Sequence, residues 1–258
     1  MENLKNIADL ITSIDPGRNP LGTFADYVEI LALSFANIPP KNGLNDRYKA
    51  VMGKYTAKQQ KIFPEVTGRI IMYLTQKGVI HDVFGDLYMQ ISAGNSNLGQ
   101  FFTPGHISGL MAALAISQKD CVDAMEHHGY IEILEPSCGG GSTVLAACQR
   151  IRELGYNPQT QVLVKAEDLD ISCVHMTFAQ LGLWGIPAIV KHGNTLTGEI
   201  FDTYVTPFIC NLRKRGSSKN APDLSRAGIR LAELIQKKSR LKKALKGGDE
   251  NEPRKKTR

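Results

Sequence analysis

Seven consecutive residues concentrate the chemistry of this chain: Glu135-Pro136-Ser137-Cys138-Gly139-Gly140-Gly141. An apolar run at 130–134 precedes them and reads as a short buried strand. Residues 142–154 follow, with Leu145, Cys148, Ile151 and Leu154 at helical spacing. Strand, glycine loop and helix together suit a nucleotide-type cofactor. Glycines let the backbone approach the ligand, and a helix N-terminus offers unpaired N–H donors. A dinucleotide fingerprint would need a further glycine at position 144, where this chain has Val144. A glutamate beside proline at the strand's end suits a ligand with an amino group and a positive charge, such as S-adenosylmethionine. A plain strand-to-helix turn is the other reading of the same residues.

Three more clusters are spaced to join such a site. Residues 161–166 alternate apolar and polar, predict a second strand and end at Glu167-Asp168-Leu169-Asp170. Asp168 at that tip could accept hydrogen bonds from both ribose hydroxyls. Asp170 suits the cap of a helix over 172–183, and Asp168 could serve as a cap instead. A third strand at 188–191 leads to His192-Gly193-Asn194-Thr195-Leu196, where the Asn194 amide could read an adenine edge. Upstream, Gln100-Phe101-Phe102-Thr103-Pro104 precedes a helix carrying Ile107, Leu110, Met111 and Leu114, with Pro104 in its first turn. Phe102 and Thr103 could cover an adenosine or bind a carboxylate; a hydrophobic staple with Thr103 as cap is the alternative.

The elements that must position these residues follow from periodicity. Residues 1–98 predict a helical subdomain, with faces at Phe24, Val28, Leu31 and Phe35, then Ile62, Val66, Ile70 and Leu74, then Val83, Leu87 and Ile91. A polar turn-rich stretch at 94–99 divides it from an α/β domain over 99–212, and 213–258 forms a basic linker, helix and tail. The overall charge of +6 conceals an uneven distribution. Residues 211–258 carry 16 Lys and Arg against 5 Asp and Glu, leaving the remainder at −5. An acidic body would repel nucleic acid without that tail. Five scattered cysteines with no C-x-x-C pair read as buried hydrophobes, and His81, His127 and His128 lack partners for a metal site. No span or leader pattern stands out, so a cytoplasmic chain with no membrane is expected.

Taken in order, Gln100 to Pro104, Glu135 to Gly141, Glu167 to Asp170 and His192 to Leu196 resemble the N6-adenine DNA methyltransferases. The likeness is strongest to methylation subunits of type I restriction–modification systems and their small phage- or plasmid-borne relatives. The resemblance covers about residues 80–210 and implies a Rossmann-like S-adenosylmethionine-dependent fold with a truncated sheet. It implies Phe102 and Thr103 near the methionine end, Glu135 and Pro136 near the amino group, and Gly139 and Gly141 under the cofactor. Asp168 would hold the ribose and Asn194 the adenine. The family's Asn/Asp-Pro-Pro-Tyr/Phe motif, expected after a fourth strand at 202–205, is reduced here to Val205-Thr206-Pro207-Phe208. Thr206, Pro207 and Phe208 are the catalytic candidates, Phe208 stacking on a flipped base. Val205 cannot accept a hydrogen bond from the adenine amine through its side chain, so weak or absent activity is expected of the isolated chain.

Arg213, Lys214 and Arg215 are the DNA-binding candidates. The open sheet edge implies cover by the C-terminal helix, a second subunit or another copy. Two readings result: adenine-N6 methyl transfer to DNA, or an inactive pseudo-methylase acting as a DNA-binding or anti-restriction protein. A nicotinamide oxidoreductase is set aside for want of the third glycine and a proton-transfer constellation.

Overall fold

The computed structural model describes residues 2–36, 43–92 and 102–213. Six helices come first: α1 (Leu4–Ser13), α2 (Pro20–Ala36), α3 (Leu44–Met52), α4 (Ala57–Gln60), α5 (Ile62–Lys77) and α6 (Val83–Ser92). Local signals set their ends. The Asn3 side chain accepts from Asn6 N to start α1, and Gly78, left-handed at φ 64°, stops α5. After them come α7 (Gly105–Ala115) and α8 (Gln118–His128). Pro104 is the N-cap of α7, so the helix begins one residue later than expected, and Thr103 is not its cap. A reciprocal Ser117–Asp120 capping box opens α8, and Gly129 at φ 74° closes it.

Strand and helix then alternate: β1 (Ile131–Glu135), α9 (Ser142–Glu153), the short α10 (Pro158–Gln161), β2 (Val162–Asp168), α11 (Ile171–Leu183), β3 (Ala188–Asn194) and β4 (Glu199–Val205). A 3₁₀ turn over Pro207–Arg213 ends the described chain. The sheet order is β1-β2-β3-β4, with the first three strands parallel and β4 antiparallel to β3. The fourth strand therefore returns beside the third. Four residues separate them, too few for the crossover of a dozen or more that a parallel neighbour requires. The turn is built by Asn194, whose Oδ1 accepts from Leu196 N and Thr197 N, and by Gly198 at φ 69°.

One apolar cluster runs through both halves of the chain. It joins Ile7, Phe24, Val66 and Leu87 of the N-terminal helices to Leu145, Val164, Phe178, Val190 and Tyr204. The approach is close: a Cβ added at Gly182 of α11 would lie 2.6 Å from the Phe35 ring of α2. On this side α7 packs on α9, while α11 packs on α2 and β3.

The opposite face of the sheet is finished differently. At its lower end Leu163, Ile189, Ile209 and Leu212 form a small second cluster. Further up, Lys165 pairs with Glu132 and Lys191 with Glu167 across neighbouring strands. A wholly parallel sheet is ordinarily apolar on both faces; here ion pairs occupy positions that a second helical layer would cover. Among the described strands, the outer side of β1 has no partner.

Candidate cofactor site

The carboxyl ends of β1, β2 and β3 deliver Glu135, Asp168 and Asn194 to one rim of the sheet. The glycine loop turns beneath them, with Gly139 at φ 51° and Gly141 at φ 98°, a backbone that only glycine adopts without strain. Asp168 is the hub of this rim. Its Oδ2 accepts from Gly139 N at 2.8 Å and its Oδ1 from Asp170 N at 2.9 Å. Asp170 caps α11, its side chain accepting from Ser172 N. Glu135 is tied down in the same way: Oε1 accepts from Ser137 N at 3.2 Å and Oε2 from Thr143 Oγ1 at 2.9 Å. Each of these carboxylate oxygens retains a second lone pair for a ligand hydroxyl or amine. Asn194 spends its oxygen on the hairpin turn, leaving Nδ2 outside that turn.

Phe102 lies over the loop. A Cβ added at Gly140 would fall 3.2 Å from its ring and 3.1 Å from Met176. Gly140 is thus required for packing, whereas Gly139 and Gly141 are required for their turns. Phe102 also meets the Tyr88 ring edge-on at 5.0 Å, and the Thr103 carbonyl accepts from Ser142 Oγ.

Four further residues contribute, of which Thr177 and Gln180 belong to no sequence motif. Thr177 Oγ1 donates to Gly139 O, and Gln180 Nε2 donates to Gly140 O, each at 2.8 Å. Thr195 Oγ1 donates to Pro136 O at 2.7 Å, joining the ends of β3 and β1. Leu169, beside Asp168, exposes 61% of its surface at the rim. Thr177 and Gln180 stand three residues apart on one helix face, the one signal that pairs them in the sequence. Cys138 gives no nucleophile, because burial pushes its thiol up to about 12. Among the described residues no group of three His, Cys, Asp or Glu could hold a metal ion.

The catalytic candidates Thr206, Pro207 and Phe208 are not brought to this rim. Because β4 is antiparallel, it ends beside Ala188 at the start of β3, where Thr206 N donates to Ala188 O. Six residue steps along β3 lead from that point to Asn194, or about 20 Å at 3.3 Å per residue. The Thr206 hydroxyl is buried and spent, donating to Ile186 O and accepting from Ala188 N. The Phe208 ring packs against Phe35. Arg213 ends the 3₁₀ turn, and Lys214 and Arg215 lie outside the described residues.

A groove runs on the far side of Phe102, between α6, α7 and α9. Two cavities of about 370 and about 140 Å³ share His81, Asp82, Gly105 and Ser142 in their linings. Neither touches Glu135, Asp168 or Asn194.

Parallel strands ending in two acids and an amide, around a glycine loop opening a helix, define an α/β fold with a candidate ligand site at one rim of its sheet. The chain belongs to the N-6 DNA Methylase family, whose sequence profile matches residues 79–211. It is 35% identical over 95 residues to the type I restriction enzyme MpnII methylase subunit of Mycoplasma pneumoniae. That stretch covers 34% of this chain but only 15% of the relative. A solved type I restriction–modification methyltransferase subunit from Streptococcus thermophilus aligns at a TM-score of 0.38 and 16% identity. The alignment covers 75% of this chain and 57% of that one.

Proposed function

We propose that this chain is the S-adenosylmethionine-binding unit of a DNA adenine-N6 methyltransferase, with a Rossmann-like cofactor half. The observation that carries this reading is the convergence of Glu135, Asp168 and Asn194 around Gly139 to Gly141. Asp168 would hold the ribose hydroxyls and Asn194 the adenine edge, with exposed Leu169 against the ring. Glu135 and Pro136 would face the amino group, and Phe102 and Thr103 the methionine end. Carboxylates with free lone pairs and an apolar rim suit a cationic sulfonium nucleoside. When bound, that cofactor supplies an electrophilic methyl group; the chain's own residues bind and orient it. Asp168→Ala should weaken binding by about 1–3 kcal/mol, the cost of unpairing buried donors. Calorimetric titration is the test, and no binding by the wild type at millimolar cofactor would overturn the reading.

The groups that polarise an adenine amine are not supplied by Thr206-Pro207-Phe208 on the opposite rim. In this reading methyl transfer to adenine in DNA depends on acceptors from outside the four-stranded sheet, contributed by a second subunit. The face assigned to that subunit is the free edge of β1 with α7, which exposes Leu110, Met111 and Leu114. Exposed Asp120, Asp123 and Glu126 of α8, the helix packed on β1, disfavour pairing with a second copy. The second reading, a chain that binds cofactor and DNA without transferring a methyl, is favoured by the position of Thr206. A methyl-transfer assay on unmethylated DNA with the isolated chain separates the two from ordinary enzymatic activity.

A further inference from the structure

Gln180 is 1% exposed, and its whole carboxamide is committed. Nε2 donates to Gly140 O and to Asp82 Oδ1, both at 2.8 Å, while Oε1 accepts from Phe84 N at 3.2 Å. Asp82 Oδ1 also accepts from Gly85 N at 2.7 Å, which fixes the start of α6. An unbroken polar chain therefore runs from the first turn of α6, through α11, to the glycine loop. Asp82 is buried with no ion pair among the described residues, an arrangement that costs free energy unless hydrogen bonds offset it. An apolar pair would fill the same space at lower cost, so packing alone does not account for these two residues.

We propose that Asp82 and Gln180 are positioning residues forming a proton-dependent latch on the Gly139 to Gly141 loop, closed while Asp82 is ionised. The ionised carboxylate is the stronger acceptor and holds the Gln180 amide, which in turn holds the Gly140 carbonyl. Protonation weakens that hold and frees the loop. Burial raises Asp82 to about 6, and the bonds from Gly85 and Gln180 oppose the rise. Asp82 lines the groove beside α7 and α9, which gives solvent protons access. The charged or titratable neighbours are Asp86 on α6, His81 before it, His106 on α7, Arg150 and Glu153 on α9, and Cys173 on α11. The effect on ligand affinity rests on the cofactor reading above; the latch itself does not.

Hydrogen exchange on the full chain without ligand tests the latch directly. The reporters are the Gly141 and Leu145 amides, which donate to Cys138 O and Gly141 O. After correction for intrinsic exchange, their protection should fall about tenfold from about pH 7 to about pH 5 in the wild type. Asp82→Asn should remove that step, and Gln180→Leu should lower protection at both pH values. Asp82→Asn is the conservative variant if Gln180→Leu fails to fold. A wild-type loop with pH-independent protection overturns the proposal, as does a step that survives in Asp82→Asn. In parallel titrations, S-adenosylmethionine affinity should follow the same pH profile and flatten in Asp82→Asn. A pH-dependent loop in a protein that binds no S-adenosylmethionine would sink the cofactor reading and leave the latch standing.

Discussion

At the scale of single residues, two buried groups, Asp82 before α6 and His175 on α11, set opposing pH dependences. Burial raises Asp82 from 3.8 to about 6 and lowers His175 from 6.5 to about 3. Across that window folded Asp82 keeps a proton that the unfolded chain has released. Its contribution is therefore fully present below about pH 4 and is lost as pH rises towards 6. Folded His175 stays neutral where the unfolded imidazole is charged, so its contribution is present above about pH 6.5 and is lost as pH falls towards 3. One proton each, with opposite signs, nearly cancels between about pH 4 and about pH 6. Replacing either residue should expose the other. Relative to wild type, Asp82→Asn should lose about 1.4 kcal/mol per pH unit on acidification through this range, and His175→Gln should gain as much. Urea midpoints at fixed temperature read both slopes. Two variants that run parallel to wild type would show that neither group is held as described.

At the scale of elements, the β3–β4 hairpin decides what the chain can do alone. Thr206 closes it with three hydrogen bonds to Ile186 and Ala188, so the degenerate motif serves here as a strand terminus. Restoring the family's amide and first proline through the double substitution Val205→Asn and Thr206→Pro should add no methyl transfer. Proline removes the backbone donor and the hydroxyl, which should destabilise the fold by about 2–4 kcal/mol. Thermal denaturation and a methyl-transfer assay on the same sample check both halves, and any gain of activity would contradict the strand's placement. Much of this region is legible in the sequence. The glycine loop, the two flanking elements and the Asp170 cap all stand where periodicity and turn chemistry set them. The strand ends do not come through, because Glu167 and Lys191 read as the polar close of a strand. They lie within β2 and β3, paired with each other on the sheet face that no helix covers. With β3 ended at 191 and β4 begun at 202, ten intervening residues come close to the dozen of a crossover, so the direction of β4 does not stand out in the sequence. The true separation of four permits only the antiparallel return.

At the scale of the whole molecule, charge is divided unevenly along the chain. Residues 1–210 carry a net −5 and residues 211–258 a net +11. The rim proposed for the cofactor carries Glu135 and Asp168, an acidic setting that favours a cationic ligand and opposes a phosphate backbone. If the chain binds DNA as proposed, an acidic body disfavours the contact, and the basic C-terminal segment is the source of affinity the sequence offers. Deleting residues 214–258 should therefore abolish most DNA binding while leaving S-adenosylmethionine affinity unchanged, since the residues proposed to hold the cofactor all lie between 102 and 194. The salt dependence is the sharper observable. Each phosphate that the shortened chain no longer neutralises should reduce the slope of log affinity against log salt by about 0.9 for duplex DNA. The full chain should show a steep slope and the truncated chain a shallow one, in fluorescence anisotropy on a labelled duplex of arbitrary sequence. Equal slopes for the two proteins would place the DNA-binding surface on the body, and the acidic rim would then have to be screened by a basic partner subunit.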